Sequence, residues 1–329
     1  IADALVQNTN ISVTNYGGGV IFSVRNASTV TRATVKNVRI TGGAELGGIS
    51  GTSNGNPVTV SNSLIENLTV VSTNERVGGI IGYINNKATV TDTIIKDSSI
   101  TGSRYMGGLS YTIRDGSFIS RVGVINVTLN ATNTGTGNEF CLGGLIGLVG
   151  WNTVNTVQYN YVSNVTITGV GRMIGGFIGK MDTTNHKIAE NYADATINNT
   201  TKIYVGSFIG YKSSGIVTDN FARANGFFRT GGSSASSAGD VSGITEVSLA
   251  DIRNGTLTET LNNITDLWAQ YNDDFVNGFP VIANAEPPAL VNGYYEIKST
   301  FQLEWFRNFV NDGNTNVNAK LIADINIRN

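Results

Sequence analysis

Two glycines followed by an apolar pair return along this chain at a nearly constant interval. The motif reads GGISG from Gly47 and Gly48, GGIIG from Gly78 and Gly79, and GGLSY from Gly107 and Gly108. It returns as GGLIG from Gly143 and Gly144, GGFIG from Gly175 and Gly176, and GSFIG from Gly206. A weaker GGVIF begins at Gly18, and successive first glycines lie 29, 31, 29, 36, 32 and 31 residues apart. So short a fixed period belongs to a solenoid, in which each unit is too small to bury a core and stacks on its neighbours.

A second block recurs with the same period. It reads VTRATV at Val30, VSNSLI at Val60, VTDTII at Val90 and ISRVGV at Ile119. It continues as VQYNYV at Val157, IAENYA at Ile188 and VTDNFA at Val217. Each block starts apolar and ends, five positions later, in another apolar or small residue. An odd offset puts those ends on opposite faces of a flat strand. A bend or bulge is therefore expected between them. Asn160, Asn191 and Asn220 hold the same place in the last three blocks and precede Tyr161, Tyr192 and Phe221. Asparagine tolerates left-handed backbone, and its amide stacks on copies above and below. An asparagine ladder beside an aromatic ladder follows. A third segment, such as VRIT at Val38 or VTIT at Val165, alternates as half-buried strands do. The expected fold is all-β: a parallel β-solenoid of about seven repeats, each about 31 residues long, over residues 1–228. Its glycine pairs would allow tight turns where a side chain would clash.

A small helix-containing C-terminal region is expected beyond the repeats. Residues 229–244 lack periodicity and read as a small-residue loop. Residues 245–282 read as a capping module, with Ser248 as N-cap and Asp251 at the third helical position. The helix would run to about Ile264, weakened by Gly255. Trp268 and the GFPVI run would pack on the last coil, where bare strand edges need cover. Residues 283–292, with Pro287 and Pro288, read as a linker. Residues 293–329 read as a strand–helix–strand module that opens a further array or contacts the next subunit. Ser299 and Gln302 would form its capping box, and Leu303, Phe306 and Val310 share one helix face. The start at Ile1 and the end in the strand-like run at 321–327 read as cuts in a longer protein.

Charged residues are 14% of the chain, and 22 basic against 24 acidic side chains nearly cancel. No basic stripe exists, so neither nucleic acid nor an anionic membrane is the expected partner. No apolar run approaches the roughly 20 residues that span a bilayer. Cys141 is the single cysteine, which excludes an internal disulfide framework and a cysteine-rich metal site. It reads as a small buried apolar residue rather than a reactive thiol. His186 is the single histidine, which removes an H-E-x-x-H zinc site and the usual base of hydrolases. No cofactor, metal or enzymatic activity is expected.

The glycine-apolar core with its upstream asparagine-aromatic block resembles the GLUG repeats of large bacterial surface proteins. Gly143 to Gly147 and Gly175 to Gly179, with Asn191-Tyr192-Ala193 and Asn220-Phe221-Ala222, carry the likeness best. The Trp268 segment resembles the capping module of such proteins, and the YYEIKSTFQLEWFRNFVNDG segment their array-opening module. The early copies depart from the pattern, since Arg32-Ala33-Thr34 and Asn62-Ser63-Leu64 lack the asparagine-aromatic pair. The resemblance implies an extracellular, surface-attached, often adhesive protein. This would be a stalk segment or a filament subunit joined head to tail, partnered by itself, by neighbouring repeats or by glycans. The alternative is a carbohydrate-binding or carbohydrate-active solenoid.

Three residue sets carry the sharper functional readings. Glu190 and Asp219 fall at matching positions of adjacent coils, as a carboxylate pair for catalysis or a cation. The competing reading is a solvated ladder at the bend. Asn10, Asn26, Asn67, Asn126, Asn130, Asn164, Asn198, Asn199, Asn254 and Asn263 each begin an N-x-S/T sequon. A chain this rich in asparagine, serine and threonine yields about that many by chance. Tyr83, Tyr105, Tyr111, Trp151 and Tyr211 would stack on sugars if exposed, or pack in turns.

Overall fold

The computed structural model describes residues 1–323 except 56, 134–139, 152, 170–171, 183–184, 199–203, 225–227, 231–241, 266, 272–277, 283–287, 298–299 and 312–314. The chain winds into a parallel β-solenoid of about seven turns. One coil contributes a long bent segment, Val58–Ser61 and Leu64–Ser72, then the short strands Val77–Gly78 and Ile81–Ile84. Stacking makes three parallel sheets. The longest runs Leu5–Ser12, Thr34–Gly42, Leu64–Ser72, Ala88–Gly102, Phe118–Ala131, Tyr161–Thr168, Tyr192–Asn198, Asn220–Arg223 and Ile244–Val247. That last strand continues the sheet past the loop expected at 229–244.

Pairing puts like on like. Ile11, Ile40, Val70, Ile100, Leu129, Ile167 and Ile197 stand in one column. The middle five are fully buried, and such columns supply the apolar burial that no single coil can. The longer interval between Gly107 and Gly143 is absorbed in turns, for Gly107 still pairs with Gly143 and Gly123 with Tyr161.

The expected bend is present, at a different residue. Backbone left-handedness falls on Arg32, Asn62, Asp92, Arg121, Tyr159, Glu190 and Asp219, with φ of 49–58°. It does not fall on Asn160, Asn191 or Asn220 one position later. Turning at the earlier residue swings the asparagine inward, where its carboxamide serves the backbone of the coil before it. A second left-handed column, Asn8, Asn37, Asn67, Asp97, Asn126 and Asn164 at φ 50–53°, bends the same sheet again. Left-handed backbone costs an L-residue roughly 1–2 kcal/mol, least for Asn and Asp, which explains the composition of this second column.

The glycine pairs exclude a side chain by clash, as expected, and not by an unusual turn geometry. None of them has positive φ. They are small because backbones touch: a Cβ on Gly144 would strike the carbonyl oxygen of Gly176, and one on Gly143 that of Ile146.

Beyond the last coil, α1 (Leu249–Arg253) is capped by Ser248, whose Oγ accepts from the Asp251 N–H at 3.1 Å. Gly255, at φ 94°, separates it from α2 (Thr256–Ile264), so the expected single helix is two. Strands Trp268–Tyr271 and Phe279–Ile282 pair antiparallel beside them. This unit packs against the side of the solenoid. Ile252, Leu257, Leu261, Trp268, Phe279 and Ile282 form one buried cluster with Tyr161, Tyr192 and Phe221. Trp268 meets Tyr161 and Tyr192 edge-on, at 6.2 and 6.3 Å between ring centroids. The expected aromatic ladder is thus the seat of the module.

Residues 283–287 and Ser299 lie outside the described residues. Ala289–Val291, within the stretch expected as linker, pairs antiparallel with Tyr294–Ile297. Tyr294–Ile297 pairs parallel with Asn318–Leu321 across α3 (Thr300–Asn311). Tyr295 meets Phe306 and Phe309 of that helix at 5.8 and 5.6 Å.

Candidate functional site

The first bend column carries the acid pair. Arg32 grips Asp3 through two bonds of 2.6 and 2.9 Å, and Arg121 grips Asp92 through two of 2.6 and 2.8 Å. Tyr159, Glu190 and Asp219 continue the column on successive coils. Burial, then the Asp219 charge, raises the Glu190 pKa, while a hydrogen bond from the Tyr159 hydroxyl opposes the rise. Among the described residues no third acid, histidine or cysteine joins the pair into a metal-sized group. The pair stands on an outward bend, in line with ion-paired rungs of one column. A groove of about 240 Å³ lies elsewhere, lined by Asn8, Asn37, Asn67, Arg39 and Thr69, and has no carboxylate in its walls.

That groove follows the second bend column, a ladder of exposed carboxamides. The Nδ2 of Asn37 donates to Asn8 Oδ1 at 2.9 Å, and that of Asn67 to Asn37 Oδ1 at 2.8 Å. Asn126 donates to Asp97 at 2.7 Å, and Asn164 to Asn126 at 3.3 Å. The ladder accounts for three sequons. At Asn67, Asn126 and Asn164 the bend asparagine is followed by a buried aliphatic and then an outward threonine. The fold itself writes N-x-T there. Asn10, Asn26, Asn198, Asn254 and Asn263 are exposed, Asn130 is half-buried, and Asn199 lies outside the described residues.

The aromatic candidates gather around arginines. Tyr111 is buried, stacked on Tyr83 at 6.1 Å and tilted on Tyr105 at 4.9 Å. Burial, the largest influence, pushes the Tyr111 phenol up. Arg76 lies over Tyr83, Arg104 over Tyr105, both at 5.0 Å, and Arg114 over Trp151 at 3.9 Å. These cations occupy ring faces that a sugar would need. Cys141, 3% exposed, packs beneath Tyr111. Tyr211 stands apart with Tyr204, edge to face at 5.1 Å.

Sequence reasoning missed a second buried polar column. Ser117 Oγ accepts from the Ala88 N–H at 3.0 Å, Asn155 Oδ1 from Ser117 N–H at 2.9 Å, and His186 Nδ1 from Asn155 N–H at 3.2 Å. With Nδ1 accepting, Nε2 carries the proton and faces Asp182 Oδ1 at 3.0 Å. Asp182 Oδ2 accepts from the Trp151 N–H at 2.7 Å. This histidine–aspartate contact has the form of a catalytic dyad, yet His186 is fully buried and its free nitrogen is spent on backbone. Burial lowers its pKa against the opposing pull of Asp182.

Comparison with protein-family models, with curated proteins and with solved structures returns no match. No helix among the described residues is long and apolar enough to cross a membrane. The stacking of coils is consistent with a repeat structural protein.

Proposed function

We infer that this chain is a structural segment of an extracellular repeat protein, a stalk or spacer of the GLUG-like kind, without enzymatic activity. One observation carries the reading: the side chains with chemical potential are spent on holding coils together. Arg121 closes on Asp92, His186 caps Asn155, and Asn160, Asn191 and Asn220 cap one another. The arginine-covered rings speak for self-contained packing over glycan stacking. Adhesion, on this reading, belongs to neighbouring repeats or to the rod as a whole. Antibody labelling of intact and permeabilised source cells tests the location. Signal on intact cells that protease treatment removes is the expected result. Signal confined to permeabilised cells refutes the extracellular assignment.

A further inference from the structure

After its second bend the long sheet presents one facet to solvent. Thr69, Ser99, Thr128, Thr166 and Thr196 stand in register there, one to a coil. Two residues on, Val71, Thr101, Asn130, Thr168 and Asn198 form a second column beside them. Both columns alternate with buried residues and so point outward. Between them Val70, Ile100, Leu129, Ile167 and Ile197 point inward and back the facet with packed core. The register shift between Val162 and Val165 lies before the facet, not within it. The carboxamide ladder of Asn67, Asn126 and Asn164 runs along its border. Side-chain ladders of this kind hold a sheet against its usual twist.

No charged side chain stands in either column over these five coils. Charge appears at the borders, with Arg39 on the coil before and Asp97 in the bend column. Arg223 reaches in from the last coil to hold Thr196 Oγ1 at 2.7 Å. Among the described residues the hydroxyls of Thr69, Thr101, Thr128, Thr166 and Thr168 serve no other group. The facet before the bend is different: it carries Glu66 between Lys36 and Lys96, and it seats the lateral module on Tyr161 and Tyr192. Strand geometry sets the grid of the open facet. Its side chains recur about 4.7–4.9 Å apart along the stack and roughly 6.6 Å apart along a strand.

Such a face suits few partners. Nucleic acid and anionic surfaces need cations. A protein interface draws its energy from aromatic or arginine anchors, and neither column holds one. What the facet offers is a rigid, uncharged, repeating array of hydroxyls and methyls, which fits a partner that repeats on the same grid. Frozen water does so: the prism face of hexagonal ice repeats in two perpendicular directions at nearly these lengths. We propose that this facet binds ice, its two columns ordering a first layer of water that is continuous with the crystal. The activity goes beyond the structural-segment reading, since a spacer needs no ordered hydroxyl face.

Partition of the fluorescently labelled chain into slowly growing ice, with nanolitre osmometry, tests it. The parent is expected to enter the ice and to open a gap between melting and freezing points. A double variant, Thr128→Lys with Thr166→Lys, holds the crystal off with two long charged stems. Both sites reach solvent, so its circular dichroism should match the parent. Its incorporation into ice is expected to fall at least about tenfold. Thr156→Lys is the control, because it lies on another facet in register with Lys187 of the next coil, and it should leave incorporation unchanged. A parent that growing ice excludes overturns the proposal whatever the variants do. So does incorporation that survives the double substitution, or retention on microcrystalline cellulose or chitin in place of ice, which assigns the face to a polysaccharide.

Discussion

Asn191 is the middle rung of the buried ladder and its most informative position. Its Oδ1 accepts from the N–H and the Nδ2 of Asn160, both at 2.9 Å. Its Nδ2 donates to Val157 O at 3.1 Å, Ala189 O at 2.7 Å and Asn220 Oδ1 at 2.9 Å. Asn191→Ala removes all five bonds from a site with no solvent access. An orphaned buried N–H costs about 1–3 kcal/mol and each of the four further bonds about 0.5–1.5, together about 3–9 kcal/mol. That is a large part of the roughly 5–15 kcal/mol that holds an ordinary domain. Asn191→Asp separates shape from donor capacity. A carboxylate there faces two carbonyl oxygens and the Asn220 Oδ1 and can donate only when protonated, so its folded pKa lies above the unfolded value of about 3.9. Stability is then kept below about pH 4 and lost as pH rises. Urea unfolding followed by circular dichroism gives the totals, and native-state hydrogen exchange at the Asn160 amide locates the loss. An alanine variant within about 1 kcal/mol of the parent, or an aspartate variant with the parent's pH profile, would refute the ladder as the source of stability.

Other positions make sharper contrasts. His186 binds fewer protons folded than unfolded, so its contribution is full above about pH 6.5 and declines as pH falls through its lowered pKa. His186→Asn, which can accept as Asn155 does one coil earlier, should flatten that acid-side slope in urea titrations. Gly144→Val is expected to cost about 3 kcal/mol or more, through collision with the next coil. Gly255→Ala meets no atom within 4 Å and is strained only by φ 94°, so about 1 kcal/mol is expected from thermal unfolding. After expression in glycosylating cells, peptide mapping should find higher occupancy at exposed Asn26, Asn254 and Asn263 than at Asn67, Asn126 and Asn164. The Nδ2 of each of the latter three already donates along the ladder.

The solenoid was legible because Gly107 to Gly143 and Val30 to Val217 repeat in both spacing and chemistry, and a period survives an insertion that a single motif would not. The bend was legible in parity, from the odd offset between Val30 and Val35. Its location was not, because Arg32, Asp92, Tyr159 and Glu190 share no side-chain chemistry, only a left-handed backbone imposed by the stack. The column of Ser117, Asn155 and His186 was hidden for the same reason: a hydroxyl, an amide and an imidazole do one job, accepting one N–H from the coil before. The lateral seat of Trp268 was invisible too. Gly123 offered the signal, since a Cβ there would strike the Tyr161 ring, but a vacancy is read only once the partner strand is known.

The bonds between coils, such as Gly48 N–H to Gly79 O at 3.0 Å and Gly144 N–H to Gly175 O at 3.2 Å, run along the stacking axis. A load that pulls the ends apart therefore meets them one coil at a time, like a zipper, rather than all together in shear. Each coil that yields releases about 100 Å of extended chain for roughly thirty residues. Under compression the same stack bears load through its packed columns of isoleucine, valine and leucine. A protein built this way is stiff when pushed and yields in steps when pulled, so a tether made of it absorbs a tug by paying out slack instead of passing the force on.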